Sequence, residues 1–160
     1  MNPRAQRMFS LKTAVAGTRI KLGVGVLPIA DDGRLLLELR SDCGMWGLLG
    51  GGVDPGESIT QTALREVAEE SGLTIEITRL LGIYSTPADR ILIYPDNGDV
   101  RHLIDVVVIA RITGGTLQIS HESERLEFFD LKNLPPETEI IPPARDPLAD
   151  FLAGRQGLLG

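Results

Sequence analysis

The chain has 160 residues, of which 42% are hydrophobic and 24% are charged, a balance that is typical of a globular protein. This length suits one well-buried domain, so we expect a single domain over residues 1–160 with its core at about 20–153. The formal net charge of −6 argues against a general nucleic-acid binder, because neutralising many phosphates requires clustered Lys and Arg.

The apolar segments and the cysteine content predict where the protein works. No apolar run approaches the roughly 20 residues that a membrane-spanning helix needs, and the N-terminus lacks the continuous apolar core of a signal peptide. The single Cys43 cannot form an internal disulfide, which is typical of a reducing compartment. We therefore expect a cytoplasmic protein with no membrane partner and no nucleic-acid polymer partner. A homodimer is compatible with these observations.

The first half of the chain predicts a short helix, two strands joined by a tight turn, and one longer helix. The turn is Asp31-Asp32-Gly33. Ser58 followed by Gln61 fits a capping box at the start of the longer helix, and Gly72 fits its end. The elements are placed at residues 3–9, 20–30, 34–40 and 58–71. The leucine run in the second strand indicates burial on both faces.

The second half predicts a strand at 74–85 and a pair of strands, at 91–94 and 100–112, joined across Pro95–Gly98. A turn at Gly114–Gly115 would lead into a strand at 116–120, and 126–129 predicts a last strand. Asp146 before Pro147 fits the start of a helix that ends near Ala153. Strands interleaved with two main helices predict an α/β fold, with a mixed sheet between helices.

The longer helix carries three carboxylates, Glu66, Glu69 and Glu70, on one face at about 100° per residue. The opposite face takes Ala63, Leu64, Val67 and Ala68. Carboxylates at these spacings repel one another, and a hard cation such as Mg²⁺ or Mn²⁺ would reverse the sign of that energy. A solvated acidic face is the alternative interpretation of the same cluster.

The segment from Gly51 to Leu73 reads GGVDPGESITQTALREVAEESGL and resembles the Nudix box at every fixed position. The flank before it, from Trp46, is also similar to the family, but Leu49 stands where members usually have proline. The similarity runs from about residue 20 to 135, and within the family the sequence resembles a bacterial MutT-like group. It implies an α/β/α sandwich that uses Mg²⁺ or Mn²⁺ to hydrolyse a nucleoside diphosphate linked to another moiety.

The resemblance also implies roles for individual residues. Glu66, Glu69 and Glu70 match the metal-binding positions of the box, and Glu66 takes the proton from water in some members. The other implied metal ligands are Glu57 and the Gly50 carbonyl. Gly51, the first residue of the box, implies a structural role in placing the loop backbone. Glu122 matches a loop carboxylate that some members use as general base or extra ligand.

Several further residues have two interpretations. Arg65 fits a role in orienting the glutamates by charge-assisted hydrogen bonds better than contact with substrate. Arg40 is either a phosphate ligand or a surface cation. His102 and His121 fit surface or packing positions, and Trp46, Phe128 and Phe129 fit the core. The competing functions are a non-catalytic domain that senses a nucleotide or binds a partner, and diphosphate isomerisation, which would need an acid such as Cys43 in the site.

Overall fold

The computed structural model describes residues 1–94 and 97–160, and these form an α/β fold around one nine-stranded mixed sheet. The strands are β1 (Arg19–Ile29), β2 (Leu35–Arg40), β3 (Trp46–Gly47), β4 (Leu49–Gly52), β5 (Leu73–Tyr84), β6 (Ile91–Ile93), β7 (Val100–Gly115), β8 (Ser123–Phe129) and β9 (Leu158–Leu159). The helices are α1 (Pro3–Met8), α2 (Ile59–Ser71), α3 (Pro87–Arg90) and α4 (Pro142–Leu152), with a 3₁₀ turn at Glu137–Glu139. No helix in the described part of the chain is long and apolar enough to cross a membrane.

The centre of the sheet is a parallel pair, β1 and β7, whose register runs from Arg19 opposite Arg101 to Ile29 opposite Arg111. All the other neighbours of these two strands are antiparallel: β2 and β4 beside β1, and β5 and β6 beside β7. The sheet is therefore mixed, as the sequence predicts. Because β4 pairs with β1, its glycines lie directly beside the central strands.

Helices cover both faces of the sheet. On one face, valines of β1 and β7 pack against Ala63 and Val67 of α2. On the other face, Leu27 and Val107 pack in one cluster with Ala144 and Leu148 of α4. The predicted α/β/α sandwich is thus confirmed. The leucines at 35–37 of β2 are fully buried, in agreement with the prediction that this strand is covered on both faces.

The ends of α2 follow the local signals in the sequence. The Ser58 hydroxyl accepts a hydrogen bond from the Gln61 N–H at 3.2 Å, and the Gln61 side chain accepts one from the Ser58 N–H at 2.8 Å. Gly72 has a φ of 70°, the left-handed conformation that lets a helix end, and its N–H bonds the Ala68 carbonyl. These capping interactions fix where the carboxylate-bearing helix starts and stops.

The prediction that the last helix starts at Asp146–Pro147 is wrong, because α4 begins at Pro142 and holds Pro147 in its interior. Proline has no N–H, so Pro147 cannot bond the carbonyl of Pro143 four residues earlier. The Arg90 Nη2 atom donates to that carbonyl instead, at 2.9 Å. This donor lies 53 residues away along the chain, so local sequence patterns do not predict it.

Two other predictions need correction. Residues 116–120 form no strand, because Gly114 and Gly115 continue β7 opposite Thr74 and Leu73 instead of turning the chain. No strand is predicted after residue 129, but the chain end pairs in parallel with β5 through β9. The pairing of β6 with β7 is confirmed by Ile91 opposite His102. Part of the predicted turn between them, Pro95 and Asp96, lies outside the described residues.

Candidate active site

A cleft of about 1020 Å³ opens across the sheet beside α2. It is lined by Glu66 and Glu69 of α2 and by the glycines of β4. Lys21 of β1 and Asp105 of β7 also line it. The cleft thus connects the carboxylates of the predicted site with the central parallel strands.

The glycines of β4 bring backbone against the carboxylates. A Cβ atom at Gly51 would lie 2.4 Å from the Glu66 Oε1 atom, so the side chain of any other residue would displace that carboxylate. Gly50 has a φ of 133°, and its N–H donates to the Glu70 Oε2 atom at 2.8 Å. Glycine is therefore required here for close approach at Gly51 and for backbone conformation at Gly50.

Arg65 binds three carboxylates of the cluster at the same time. Its guanidinium donates to both oxygens of Glu57 at 2.7 and 2.8 Å, to Glu66 at 2.8 Å and to Glu69 at 3.2 Å. It also donates to the Gly52 carbonyl at 3.2 Å. One planar cation therefore holds three carboxylates and the glycine strand in a fixed arrangement. This geometry supports the orienting role predicted for Arg65.

Two of the carboxylates bound by Arg65, those of Glu57 and Glu66, have pKa values shifted in opposite directions. Hydrogen bonds from Arg65 and Thr62 lower the pKa of Glu57 to about 2, so this carboxylate stays ionised. Burial raises the pKa of Glu66, and its contact with Arg65 only partly offsets that effect. The cluster therefore pairs a strongly acidic group with one that holds its proton more tightly.

Glu70 lies deeper than the sequence pattern predicts. Only 4% of the residue is exposed, and it joins Ala63 and Val67 on the buried side of α2. Burial, together with the charge of Glu38, raises the pKa of Glu70 to about 9. Leu64 and Glu69 are exposed, as is Ala68, so the predicted division into one acidic and one apolar face is wrong. Glu70, the last acidic residue of α2, therefore lies buried against β4, where it accepts the hydrogen bond from Gly50.

Glu38, which is not among the site residues predicted from the sequence, is a second buried carboxylate in this region and is 1% exposed. Its Oε1 atom accepts from the Ser123 hydroxyl at 2.7 Å, while its Oε2 atom has no hydrogen-bond partner in the described chain. The nearest cation is Arg40, 3.9 Å away. A glutamate inside the leucine-rich stretch Leu35–Arg40 is the signal that points to it, because a strand buried on both faces rarely holds an acid without a function.

Arg40 and Glu122 also line the cleft. The Arg40 guanidinium already binds Asp42 through two hydrogen bonds, of 3.0 and 2.6 Å, so a phosphate would compete with that carboxylate. The Glu122 side chain is largely exposed, and its main-chain carbonyl accepts from the Ser41 N–H at 2.9 Å. The structure therefore brings both residues to the cleft, where the charge of Glu122 contributes to the raised pKa of Glu66, although neither side chain forms a hydrogen bond or ion pair with α2 in the described chain.

Other candidates from the sequence lie away from the chemistry. Cys43 is fully buried, burial raises the pKa of its thiol to about 12, and it is not among the described residues that line the cleft. Trp46 packs edge-on against Phe129 in the core, with ring centroids 4.9 Å apart. His102 contacts the Ser85 carbonyl, and His121 is exposed on the cleft rim.

The donor set fits a hard divalent cation. In residues 1–94 and 97–160 no three His, Cys, Asp or Glu side chains converge on one point, and Arg65 binds Glu57, Glu66 and Glu69. The available donors are nevertheless carboxylate and carbonyl oxygens, the ligands that Mg²⁺ and Mn²⁺ prefer. Burial raises the pKa values of both Glu38 and Glu70, and the charge of Glu38 adds to the effect at Glu70, so the cations of the described chain do not offset the burial of these two carboxyl groups.

The fold and site together define a class of α/β/α protein in which a glycine strand packs against a carboxylate-bearing helix. The chain belongs to the NUDIX domain family, whose model matches residues 19–151. It is 36% identical over 110 residues to an ADP-ribose pyrophosphatase of Methanocaldococcus jannaschii, covering 67% of this chain and 60% of that protein.

Two further proteins show similarity over more of their own length. A putative 8-oxo-dGTP diphosphatase of Bacillus subtilis is 30% identical over 135 residues, covering 84% of this chain and 81% of that protein. The solved structure of an ADP-ribose pyrophosphatase from Streptococcus suis superposes with a TM-score of 0.66 at 28% identity, covering 88% of this chain and 96% of that one. The shared family confirms the resemblance carried by the segment Gly51–Leu73.

Proposed function

We propose that this protein is a metal-dependent pyrophosphohydrolase, which cleaves the diphosphate of a nucleotide derivative by attack of water at phosphorus. The observation that carries the proposal is the packing of the Glu66 carboxylate against the backbone of Gly51. Both residues line the cleft, and Arg65 donates a hydrogen bond to Glu66. The names of its relatives, an ADP-ribose pyrophosphatase and a putative 8-oxo-dGTP diphosphatase, support the same class of substrate.

The proposed cofactor is Mg²⁺, with Mn²⁺ as a substitute. The residues that would hold it are the Gly50 carbonyl and four carboxylates, those of Glu57, Glu66, Glu69 and Glu70. When bound, such a cation neutralises the charge of the phosphates and acidifies water. Arg65 orients Glu57 and Glu66, and the β4 backbone keeps their side chains against the cleft.

The proton of the attacking water needs an acceptor among the cleft residues. Burial raises the pKa of Glu66, which makes its carboxylate a better proton acceptor than an exposed glutamate. Glu122, which also lines the cleft, is the second candidate for this role, and Arg40 is a candidate phosphate ligand if it exchanges Asp42 for substrate.

The remaining proposals concern the whole chain. The continuous sheet supports a single domain over residues 1–160. A homodimer and a cytoplasmic location remain predictions, the first of which light scattering tests. A non-catalytic nucleotide-binding domain is the rival function. The chain retains every carboxylate of the box, which favours catalysis over this rival.

A screen of nucleotide derivatives tests the proposal. Nucleoside triphosphates, nucleotide sugars, ADP-ribose and dinucleoside polyphosphates are incubated with Mg²⁺ or Mn²⁺, and the products are separated by ion exchange. We expect turnover of at least one class that stops in EDTA and falls to background in a Glu69→Gln/Glu70→Gln variant. Tight nucleotide binding without turnover would favour the rival function, and no turnover above that variant would contradict the proposal.

A further inference from the structure

Asp105 is a carboxylate that lines the cleft and is not one of the carboxylates bound by Arg65. It lies on β7, in register with Gly23 of β1 and with Tyr84 of β5, and its side chain is 18% exposed. Within residues 1–94 and 97–160 its carboxylate accepts no hydrogen bond, and its closest cation is the Arg90 Nε atom at 3.6 Å. An acceptor that faces a cleft and is left without donors is ready to receive them from a ligand.

Arg90 explains how a charge can be kept at this depth. It is fully buried behind Asp105, with its guanidinium 5.2 Å from the centre of the Tyr84 ring and one N–H on the Pro143 carbonyl. Its Nε and Nη1 atoms have no hydrogen-bond partner in the described chain. Arg90 therefore offsets part of the effect of burial, which raises the pKa of Asp105 to about 6, and it leaves the hydrogen-bonding capacity of the ionised carboxylate free above that pH.

Gly23 leaves the carboxylate open to the cleft. A Cβ atom at Gly23 would lie 2.6 Å from the Asp105 Oδ1 atom and 3.5 Å from the Gly51 carbonyl. The absent side chain is therefore the space between Asp105 and the glycine strand that contacts Glu66. A molecule with its phosphates at α2 and its other end at Asp105 would pass over this gap.

The chemistry of a carboxylate restricts what that other end is. Ionised Asp accepts hydrogen bonds and donates none, and it repels phosphate. The group beside it must therefore carry N–H or O–H donors and no negative charge. A nucleoside has two such groups, the hydroxyls of its ribose and the N–H edge of its base.

We propose that Asp105 selects the nucleoside part of the substrate by accepting hydrogen bonds from its ribose hydroxyls or its base N–H groups. The inference rests on the proposed function for the identity of the substrate class, and on Gly23, Arg90 and the cleft for the site itself. Asp105 thus serves as a specificity residue at a distance from the reacting phosphorus.

The test compares the wild type with Asp105→Asn and with Asp32→Asn as a matched control. Asp32 is also paired with an arginine, Arg34, but it lies on the hairpin turn outside the described lining of the cleft. For each protein, kcat and KM are measured with Mg²⁺ on ATP, dATP, GTP, dGTP and ADP-ribose. Calorimetry in EDTA measures the Kd of AMP, dAMP, GMP and dGMP, so that binding is read without catalysis.

We expect Asp105→Asn to raise KM and Kd roughly 10- to 100-fold for nucleotides that carry the recognised donor, with kcat within about threefold of the wild type. A loss confined to ribonucleotides identifies the ribose as the source of the donors. A loss confined to one base, whatever the sugar, identifies the base edge. Asp32→Asn should change neither constant.

Several results would overturn the inference: an equal loss for every nucleotide, a loss in kcat alone, unchanged constants, or no nucleotide binding by the wild type in EDTA. If Asp105→Asn does not fold, Gly23→Ala replaces it, because its Cβ would displace the Asp105 Oδ1 atom, and the same selective rise in KM and Kd is expected. Selective binding without turnover by the wild type would remove the proposed function and leave the role of Asp105 standing.

Discussion

Gly51 offers the most direct way to move one carboxylate without removing it. Gly51→Ala would place a Cβ atom 2.4, 2.6 and 2.8 Å from the three carboxylate atoms of Glu66, and Gly51 does not have the positive φ that would strain an alanine. The Glu66 side chain can rotate away, so the cost to the fold is small. The carboxylate must retreat by about 1 Å to reach ordinary contact distance, and a misplacement of that size costs roughly 100-fold in rate.

The assay for Gly51→Ala is kcat/KM with the best substrate of the screen, together with the melting temperature. We expect a loss of roughly 100-fold in kcat/KM and a melting temperature within a few degrees of the wild type. Gly114→Ala is the matched control, because its Cβ meets only the Thr74 hydroxyl, at 3.1 Å and far from the cleft. A folded Gly51→Ala variant with near-normal turnover would refute the argument that Glu66 acts from this position.

Three further predictions concern the same cluster. Glu70→Gln should abolish most turnover and reduce the increase in melting temperature that Mn²⁺ causes. The melting temperature in EDTA should stay the same or rise. An increase with Mn²⁺ equal to that of the wild type would show that Glu70 is not a ligand. In EDTA the folded state binds the Glu70 proton more tightly than the unfolded state, since its pKa of about 9 exceeds the ordinary 4.5. Its contribution to the free energy of unfolding is therefore complete below pH 4.5 and is lost as pH rises toward 9. Urea unfolding should show that the free energy of unfolding of the wild type falls by several kcal/mol relative to that of Glu70→Gln over this range. Parallel pH dependences of the two proteins would contradict this prediction. Arg65→Lys keeps the charge but loses the paired bonds to Glu57, so kcat should fall roughly tenfold or more with KM little changed, whereas unchanged kcat would remove the orienting role.

The parts of the fold that the sequence predicts correctly are those with local signals. Ser58, Gln61 and Gly72 mark the ends of α2 through contacts within a few residues, and the Leu35–Leu37 run marks a buried strand. The start of α4 was predicted wrongly because the donor that lets Pro147 stay inside the helix comes from Arg90, on a different helix. Local capping rules cannot include a partner that only the tertiary fold supplies.

The same limit applies to the site. The spacing of Glu66, Glu69 and Glu70 indicates a cluster, but the depth of Glu70 depends on Gly50 above it and Glu38 beside it, on two other strands. The carboxylate of Asp105 is open only because its neighbour on β1 is Gly23, and this pairing follows from the parallel register of β1 and β7. Which acids are buried or open is therefore a property of strand register, which single-sequence patterns do not determine.

The measurement that tests the central claim most directly is the metal-dependent rate of nucleotide hydrolysis in Glu66→Gln, compared with the wild type on the same substrate. The variant keeps the shape of the side chain that packs on Gly51 and removes its charge. We expect the rate above the EDTA background to fall at least about 1000-fold, because an oxygen ligand and the proposed proton acceptor are lost together. A rate within tenfold of the wild type, in a variant that is folded, would contradict the proposal that the carboxylates of α2 perform the chemistry.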